Sequence, residues 1–326
     1  MSKYVAWRLV RMASVVFAIS LFTFFLVNLL PGGPINAILG PAAGDPAARA
    51  QLTNQFGLNH PVWERYFVWL GHALQGNLGQ SYISGQSVLG TIGDRVPFTI
   101  ELMLMAEIIS LVIAVPVAMV AALKPDGFFD KMLNRVTLSL FALPAFVLGP
   151  FLLFVFADKL HLVPAANATT WLTFGNPADP GIVATPQSIL LPSLVLAAGQ
   201  LAIFARVLRG DLVTTLKSEF ILLARSKGFS RWRILFRHAL RPSSFTLASL
   251  VGLSVGGLLG GALIVENIFG LPGMGTLFIT SIEKRDYLMV QGIELLIASG
   301  FVVVNFLTDM LYLVIDPRVR RERLIG

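Results

Sequence analysis

Long apolar runs separated by polar, often basic, segments dominate the pattern of this 326-residue chain. A helix needs roughly 20 apolar residues to cross the hydrocarbon core of a membrane. The runs lack the period-two alternation of a transmembrane barrel, the other structure that satisfies the backbone in lipid. The pattern therefore predicts an all-α polytopic integral membrane protein with six transmembrane helices, at Met12–Leu30, Thr99–Leu123, Leu133–Ala157, Ser188–Leu208, Phe245–Val265 and Gln291–Ile315.

Composition supports the membrane assignment, because only 13% of the residues are charged while 55% are hydrophobic. Soluble domains carry about a quarter charged residues. Too few ionised groups remain to solvate a globular surface of this size, so lipid must cover part of it. Cysteine is absent and the four histidines are scattered, which excludes disulfides and cysteine-ligated metals and leaves no metal-binding motif.

The first apolar run follows Lys3, Arg8 and Arg11, as the core of a secretory signal peptide also would. A signal core is about 7–15 residues long, however, and this run is longer. Five further runs follow it. We therefore expect the first run to be retained as a membrane helix.

Lysine and arginine are distributed unevenly between alternate segments, and such a bias marks the cytoplasmic side of a membrane protein. With a cytoplasmic N-terminus, the outer segments hold only six of the 25 basic residues, namely Arg49, Arg65, Arg95, Lys159, Lys284 and Arg285. Both termini are therefore predicted to be cytoplasmic. The net charge of +7 reflects this topology, so no nucleic-acid partner is expected.

The spans divide the chain into four regions. Residues 1–30 hold the N-terminal segment and first helix, 31–98 form an extracytoplasmic loop or cap, 99–315 form a five-helix core, and 316–326 form a basic tail. In the cap, prolines before Ala47–Phe56 and Val62–Leu74 suit helix starts. Aromatic residues of the second helix form either an interfacial belt or packed cap, or a docking face for an external partner. These residues are Trp63, Tyr66, Phe67 and Trp69.

The cytoplasmic loop at 209–243 is strongly basic. Glu219–Ser226 has helical composition, and Gly228 lies where a helix can end in a left-handed cap. Ser230–Leu240 begins with a serine suited to an N-cap. Two short helices with a glycine corner could insert into a groove on a soluble partner, or they could lie on anionic lipid headgroups.

The stretch Ala224–Pro242, ARSKGFSRWRILFRHALRP, resembles the coupling loop of ABC importer permeases in the form typical of the oligopeptide/dipeptide permease family. The general pattern in such permeases is Glu-Ala-Ala, three residues, Gly, nine residues, then Ile-x-Leu-Pro. Ala224, Gly228 and Leu240 match that pattern. The departures are Leu222 and Leu223 for Glu-Ala, His238 for the isoleucine, and Arg241 for the proline, with Pro242 one position late.

The resemblance covers nearly the whole chain. It includes LPGGP at 30–34, the run from Phe56 to Tyr82, RVPFTIEL at 95–102, LPAFVLG at 143–149, the run at 260–275, RDYLMVQGI at 285–293 and the tail at 305–320. It implies a type I ABC importer permease fold, a second homologous permease subunit, two cytoplasmic ATPase subunits and an extracytoplasmic solute-binding protein. It also implies that the ATPases are coupled through Glu219, Ala224, Arg225, Ser226, Lys227, Gly228 and Phe229.

Nucleotide binding is expected on the partners and not on this chain, because no GxxxxGK[ST] loop occurs in its sequence. ATP and magnesium would therefore be bound by the ATPase subunits, and this chain would bind no cofactor and catalyse no reaction. An intramembrane enzyme would need a catalytic constellation, and no paired Ser/Lys, Ser/His or Asp/Asp set lies at a suitable depth.

Polar and small residues inside the spans are candidates for the translocation pathway or the subunit interface. Glu107 is ionisable within the second span, and such residues are functional candidates by default. Gly252, Gly256 and Gly260 recur every four residues, which lets helices approach closely, either within the subunit or between subunits. Glu266 follows the same span. Asp309, Asp316 and Arg318 are predicted to have structural roles near the cytoplasmic face.

The resemblance implies an ATP-driven importer of oligo- or dipeptides in the cytoplasmic (inner) membrane of a prokaryote. Nickel chelates or oligosaccharides are alternative solutes within the same class. An ion-coupled secondary transporter is the alternative from another class, but no second acidic residue in the last span lies at helical spacing from Asp309 to form a proton relay.

Overall fold

A computed structural model describes residues 2–29, 39, 45–55, 59–162 and 186–315. Across these ranges the structure is helical, and its one β feature is an isolated antiparallel bridge between Gln80 and Ser87. The helices are α1 Ser2–Leu29, α2 Pro46–Gln55, α3 Val62–Leu74, α4 Val88–Leu123, α5 Phe128–Ala142, α6 Ala145–Lys159, α7 Pro186–Leu216, α8 Glu219–Ser226, α9 Arg231–Phe269, α10 Met274–Glu283 and α11 Tyr287–Ile315.

Five of these helices are long and apolar enough to cross a membrane, and the α5–α6 pair raises the number to six if it forms one bent span. Each predicted apolar run falls on one of these elements, so the all-α membrane fold class is confirmed. The helices are longer than the predicted spans. α4, for example, begins at Val88 and not at Thr99, because a helix can continue past the hydrocarbon core wherever its backbone stays hydrogen-bonded.

The predicted continuous span at Leu133–Ala157 is wrong at its centre. The chain breaks at Leu143, whose backbone is extended with φ −89° and ψ 112°. α5 and α6 meet there at an angle of 102°. Pro144 explains the break, because the ring of a proline disfavours helical geometry in the residue before it. Pro144 is present in the sequence, but hydropathy does not indicate that it interrupts the helix, because the residues on both sides of it are apolar.

The predicted short helix at Ser230–Leu240 is not separate from the fifth span. Both belong to α9, which runs without interruption through Pro242. A proline inside a helix clashes with the carbonyl four residues earlier, which here belongs to His238. That residue lies in a π-helical segment at Ile234–Ala239, and such a widened turn accommodates the ring.

Two compact units make up the described chain. The first contains the described residues up to Phe98 together with Pro272–Leu307, and its core is formed by Leu78, Val88, Ile92, Met274, Met289 and Ile293. The second contains the described residues of Thr99–Leu271 together with 308–315. Its core joins α4, α5, α7, α8 and α9 through residues that include Ala118, Leu133, Leu208, Ile221, Ala224, Leu235 and Leu247.

Candidate functional site

The glycine corner at the end of α8 has the geometry of a Schellman motif. Gly228 has φ +79°, in the left-handed region. Its amide donates to the carbonyl of Arg225 at 2.9 Å, and the amide of Phe229 donates to the carbonyl of Ala224 at 3.3 Å. These are the two bonds that define the motif, and they satisfy carbonyls that a helix end would otherwise leave free. The predicted left-handed cap is confirmed.

One face of α8 is packed inside the second unit. Ile221 is fully buried and Ala224 is only 5% exposed, and both belong to the core that contains residues of α4, α7 and α9. The opposite face is open: Phe220, Leu222 and Leu223 are 50%, 65% and 58% exposed. The remaining residues predicted for coupling are exposed as well, except Phe229, which is half-buried; they are Glu219, Arg225, Ser226, Lys227 and Gly228.

The chain that leaves the corner is braced by a capped helix start and by ring stacking. The Ser230 side chain accepts a hydrogen bond from the amide of Arg233 at 3.4 Å, which confirms the predicted N-cap. The Phe229 and His238 rings are stacked with centroids 5.5 Å apart. The guanidinium of Arg233 lies 4.7 Å from the centre of the Phe229 ring. The corner is therefore held on both sides of Gly228.

The arrangement is suited to transmit force. α8 is too short to be stable alone, and its stability comes from the residues that it buries. Because Ile221 and Ala224 share a core with Leu212 on α7 and Leu235 on α9, a displacement of α8 must move those helices or break the core. The exposed apolar residues on its other face form a surface that a partner protein can bind.

The beginning of α5 is tied to α7 by an ion pair. The carboxylate of Asp130 is 2% exposed and binds the guanidinium of Arg209 through two hydrogen bonds, one of them at 2.7 Å. It also accepts the amide of Asp126 at 2.8 Å. Sequence reasoning missed this pair. The signal for it was Asp130 itself, an acidic residue between the basic Lys124 and Lys131.

A polar cluster lies among the apolar residues of α4, α7 and α9. The hydroxyl of Ser254 is 3.1 Å from a carboxylate oxygen of Glu107. The side-chain amide of Gln200 donates to the backbone carbonyl of Ser254 at 3.4 Å. Glu107 itself is half-buried. The assignment of Glu107 to the pathway or the subunit interface stays a prediction, but its partner within this chain is now identified as Ser254.

A groove of about 270 Å³ borders this cluster at the α5–α6 bend. Gln200 and Gly257 line it, together with apolar residues of the four surrounding helices. A polar amide at the wall of an apolar groove is the arrangement common in ligand sites.

The glycines of α9 divide between two environments. A Cβ atom on Gly252 would overlap the side chain of Thr308, whose hydroxyl donates to the Gly252 carbonyl at 3.2 Å. Gly252 therefore allows close packing within the subunit. Gly260 is exposed, and a Cβ atom there would meet no other atom within 4 Å. Gly256 is half-buried. The interface role predicted for the three glycines stays a prediction, and Gly260 is its best candidate.

The charged residues predicted elsewhere have mixed outcomes. Glu266 is fully buried and accepts a hydrogen bond from the hydroxyl of Thr99 at 2.6 Å. Asp309 lies on α11, with its side chain outside the described part of the structure. Asp316 and Arg318 lie outside the described residues. Their structural roles at the cytoplasmic face therefore stay predictions.

A short loop between α3 and α4 is anchored in the first unit by a buried hydrogen bond. Ser81 donates to the carboxylate of Asp286, and the other oxygen of that carboxylate lies 3.5 Å from the amide of Met289. Burial raises the pKa of the neighbouring Tyr82 phenol; the positive charge of Arg65 opposes this rise, and the negative charge of Asp286 adds to it. This contact could not be predicted from local sequence, because 205 residues separate its two partners.

Two family models match the chain and together account for nearly all of it. Residues 114–321 match the inner membrane component of binding-protein-dependent transport systems. Residues 1–103 match the N-terminal part of the membrane component of the same systems. The boundary between the matches falls within α4.

Curated relatives resemble the chain over its full length. A di/tripeptide transport system permease protein of Pseudomonas aeruginosa is 32% identical over 99% of this chain and 100% of its own length. A glutathione transport system permease protein of Shigella flexneri is 32% identical over 98% and 99%. A dipeptide transport system permease protein of Escherichia coli is 30% identical over 99% and 100%. The chain therefore belongs to the family of inner-membrane components of binding-protein-dependent transport systems, and it is a multi-pass permease of the bacterial inner membrane.

Proposed function

We propose that this chain is the permease subunit of an ATP-driven importer of short peptides, and that it is coupled to its ATPases through the corner at Gly228. The chain forms half of the translocation pathway, and a second homologous permease subunit forms the other half. Two cytoplasmic ATPase subunits bind ATP and magnesium. This chain binds no nucleotide and acts as a non-catalytic subunit.

The observation that carries the proposal is the division of α8 into a buried and an exposed face. Ile221 and Ala224 join α8 to the core of the second unit, while Phe220 and Leu223 remain open to a partner. A helix that only lay on lipid headgroups would not need to share a core with α7 and α9. The rigid Schellman corner at Gly228 then fixes the angle at which the exposed face is presented.

The mechanism is alternating access. Closure of the ATPase dimer displaces α8, and α8 carries α7 and α9 with it because they share one core. Such a change is driven only by a difference in binding free energy between two states of the permease. That difference arises because the nucleotide-bound and nucleotide-free forms of the ATPases bind α8 in different positions. The solute-binding protein supplies solute from the other side.

A short peptide is the solute that the relatives favour. The three compared above are named for the transport of di- and tripeptides, glutathione and dipeptides. In proteoliposomes that contain the assembled transporter, its binding protein and ATP, we expect uptake of a dipeptide to exceed uptake of a nickel chelate or an oligosaccharide. A preference for either of the other solutes would contradict the proposed substrate class and leave the coupling mechanism standing.

The coupling site can be tested by photocrosslinking from two leucines that are both 58% exposed, Leu223 on α8 and Leu253 within a span. Each is replaced in turn by p-benzoylphenylalanine in the assembled transporter. Irradiation should join position 223 to an ATPase subunit, while position 253 should yield no ATPase adduct. An intact transporter that gives no ATPase adduct from 223 would show that the exposed face of α8 is not the contact.

A further inference from the structure

α3, Val62–Leu74, carries three distinct stripes along its length. The inward stripe consists of Val62, Tyr66, Trp69 and Ala73, at intervals of four, three and four residues. The residues that directly follow these four in the sequence form a second apolar stripe, which consists of Trp63, Phe67, Leu70 and Leu74. At 3.6 residues per turn, the two stripes are about 100° apart on the helix surface. The polar residues Glu64, Arg65 and His72 occupy the remaining side, together with Val68.

Tyr66 and Trp69 of the inward stripe pack against α1. Tyr66 is fully buried, and its hydroxyl is 2.9 Å from the hydroxyl of Ser20. The Tyr66 ring meets the ring of Phe24 edge-on, with centroids 5.4 Å apart. The Trp69 ring lies 5.8 Å from the same Phe24 ring. These contacts fix the position of α3 along α1.

That position sets the depth of α3 in the membrane. The α1 residues that Tyr66 contacts, Phe17, Ser20 and Phe24, all lie within the apolar segment Trp7–Phe25, and the helix continues to Leu29. Helices that lie in the plane of a membrane bury their apolar face about 5–10 Å below the headgroups. The contact between α3 and α1 lies at the level of the apolar residues of α1, as expected for a helix that lies in this plane.

The second apolar stripe is open. Trp63, Phe67 and Leu74 are 62%, 59% and 81% exposed, while Leu70 is half-buried. On α1, Phe17 and Phe22 are exposed as well, at 45% and 69%. Both helices thus present apolar side chains at the same depth, and α1 must meet lipid if it spans the membrane.

We infer that α3 is a membrane-embedded helix whose Trp63–Phe67–Leu70–Leu74 stripe is covered by lipid acyl chains, in the leaflet that holds the C-terminal half of α1. Its polar side, with Glu64 and His72, faces the headgroups and water. The occupant of the stripe is lipid and not a soluble partner, because a water-soluble protein would have to enter the acyl region to reach it. This inference is independent of the substrate and of the coupling corner.

Nitroxide labelling tests the inference directly, and the absence of cysteine from the chain makes single-site labelling clean. The assembled transporter, freed of any cysteine in its partner subunits, is placed in lipid nanodiscs with labels at Phe67→Cys or Leu74→Cys. His72→Cys is the matched control on the polar side, and Phe22→Cys is the lipid-facing reference on α1. Collision rates are measured with oxygen, which dissolves in lipid, and with a water-soluble nickel chelate.

Labels at Phe67→Cys and Leu74→Cys should collide more with oxygen than with the nickel chelate, as at Phe22→Cys, and the order should reverse at His72→Cys. Dominant collision with the nickel chelate at both stripe positions would place the stripe in water and overturn the inference. Low collision with both reagents would mean that protein covers it, and would overturn the inference equally. Leu74 is 81% exposed, so its replacement keeps the test valid if Phe67→Cys fails to assemble.

A repeat of the measurement with the solute-binding protein added shows whether a protein that covers the stripe is the binding protein or another subunit of the transporter. Oxygen collision at Leu74→Cys should be unchanged by the binding protein, because lipid already occupies the stripe. A loss of collision with both reagents only when the binding protein is present would identify the stripe as its docking face, which contradicts the inference.

Discussion

The hydroxyl of Ser254 on α9 lies 3.1 Å from a carboxylate oxygen of Glu107 on α4. The same hydroxyl is 2.7 Å from the carbonyl of Val251, one turn earlier on its own helix. Ser254 is 8% exposed, and within the described part of the chain its hydroxyl lies near these two acceptors. Ionisable side chains inside a span usually face the interior of the bundle or a water-filled cavity, so we expect the half-exposed carboxylate of Glu107 to meet either the partner permease or the solute pathway.

Removal of the Ser254 hydroxyl should loosen the contact between α4 and α9. Hydrogen bonds between membrane helices contribute about 0.6 kcal/mol on average and up to about 1.7 kcal/mol. We expect Ser254→Ala to lower the free energy of unfolding within that range, measured as a lower thermal unfolding midpoint in detergent. Ser249→Ala is the control on the same helix, since Ser249 is half-buried and its hydroxyl donates to the carbonyl of Phe245 in its own helix. Equal effects of the two substitutions would contradict the pairing.

The Asp130–Arg209 pair should be a larger contributor to stability. Removal of one partner of a buried ion pair typically costs 3–5 kcal/mol, and about 3 kcal/mol is expected for Asp130→Ala because Arg209 is 22% exposed. Glu64→Ala removes an exposed partner of His60 and should cost no more than about 1 kcal/mol. Thermal unfolding midpoints compare the two. The double variant Asp130→Ala with Arg209→Ala should recover part of the loss, because no unpaired guanidinium remains.

Two glycines of α9 should respond differently to an added methyl group. Gly252→Ala places a Cβ atom against Thr308, and overpacking of this kind costs about 1–3 kcal/mol. Gly260→Ala meets no atom within 4 Å and should leave the thermal midpoint of the isolated subunit unchanged. If Gly260 faces the second permease, the larger Gly260→Leu should lower the yield of that subunit on co-purification. Full recovery of the second permease with Gly260→Leu would remove Gly260 from the interface.

The proposed topology places the end of α6 outside the cell and the corner at Gly228 inside. Lys159 has a 63% exposed side chain and Lys227 is exposed, so Lys159→Cys and Lys227→Cys are matched reporters. In intact cells, a membrane-impermeant maleimide should label Lys159→Cys and leave Lys227→Cys unreacted until the membrane is opened. Labelling of Lys227→Cys in intact cells would show that the orientation is opposite to the proposed one. It would also exclude a cytoplasmic ATPase contact at the corner.

Local chemistry in the sequence predicted the coupling corner well. The helix Glu219–Ser226 was predicted with its observed bounds, and Gly228 and Ser230 have the cap geometries expected for them. These features depend on neighbours within a few residues, where backbone sterics and hydrogen bonding decide the outcome. The same holds for Val62–Leu74, whose predicted bounds are also observed.

Features that depend on distant residues could not be predicted in this way. Hydropathy alone gave no reason to break the third span at Leu143, and a proline inside a membrane helix is often tolerated, as Pro242 is in α9. The partners Asp130 with Arg209 and Ser81 with Asp286 are brought together only by folding. The sequence indicated Glu107 as a candidate for the pathway or the subunit interface. It did not indicate that Ser254, in a glycine-rich span, is the partner of Glu107.

In the proposed mechanism, a rigid corner at Gly228 passes the motion of the ATPases to the membrane helices. A β-branched residue in the left-handed region costs about 1–3 kcal/mol, whereas asparagine tolerates that region. Gly228→Val should therefore deform or release the corner, and Gly228→Asn should keep it. Both variants should insert and assemble, because a Cβ atom added at Gly228 would meet no atom within 4 Å.

The most direct measurement is the number of solute molecules imported per ATP hydrolysed, in proteoliposomes with the complete transporter and its binding protein. A strain of about 1 kcal/mol or more disfavours the intact corner about fivefold or more, since each 1.4 kcal/mol is a factor of ten. We therefore expect the ratio of solute imported to ATP hydrolysed to fall by about fivefold or more in Gly228→Val. Gly228→Asn should stay close to the unmodified chain. An unchanged ratio for Gly228→Val in a correctly assembled transporter would contradict the role of this corner in coupling.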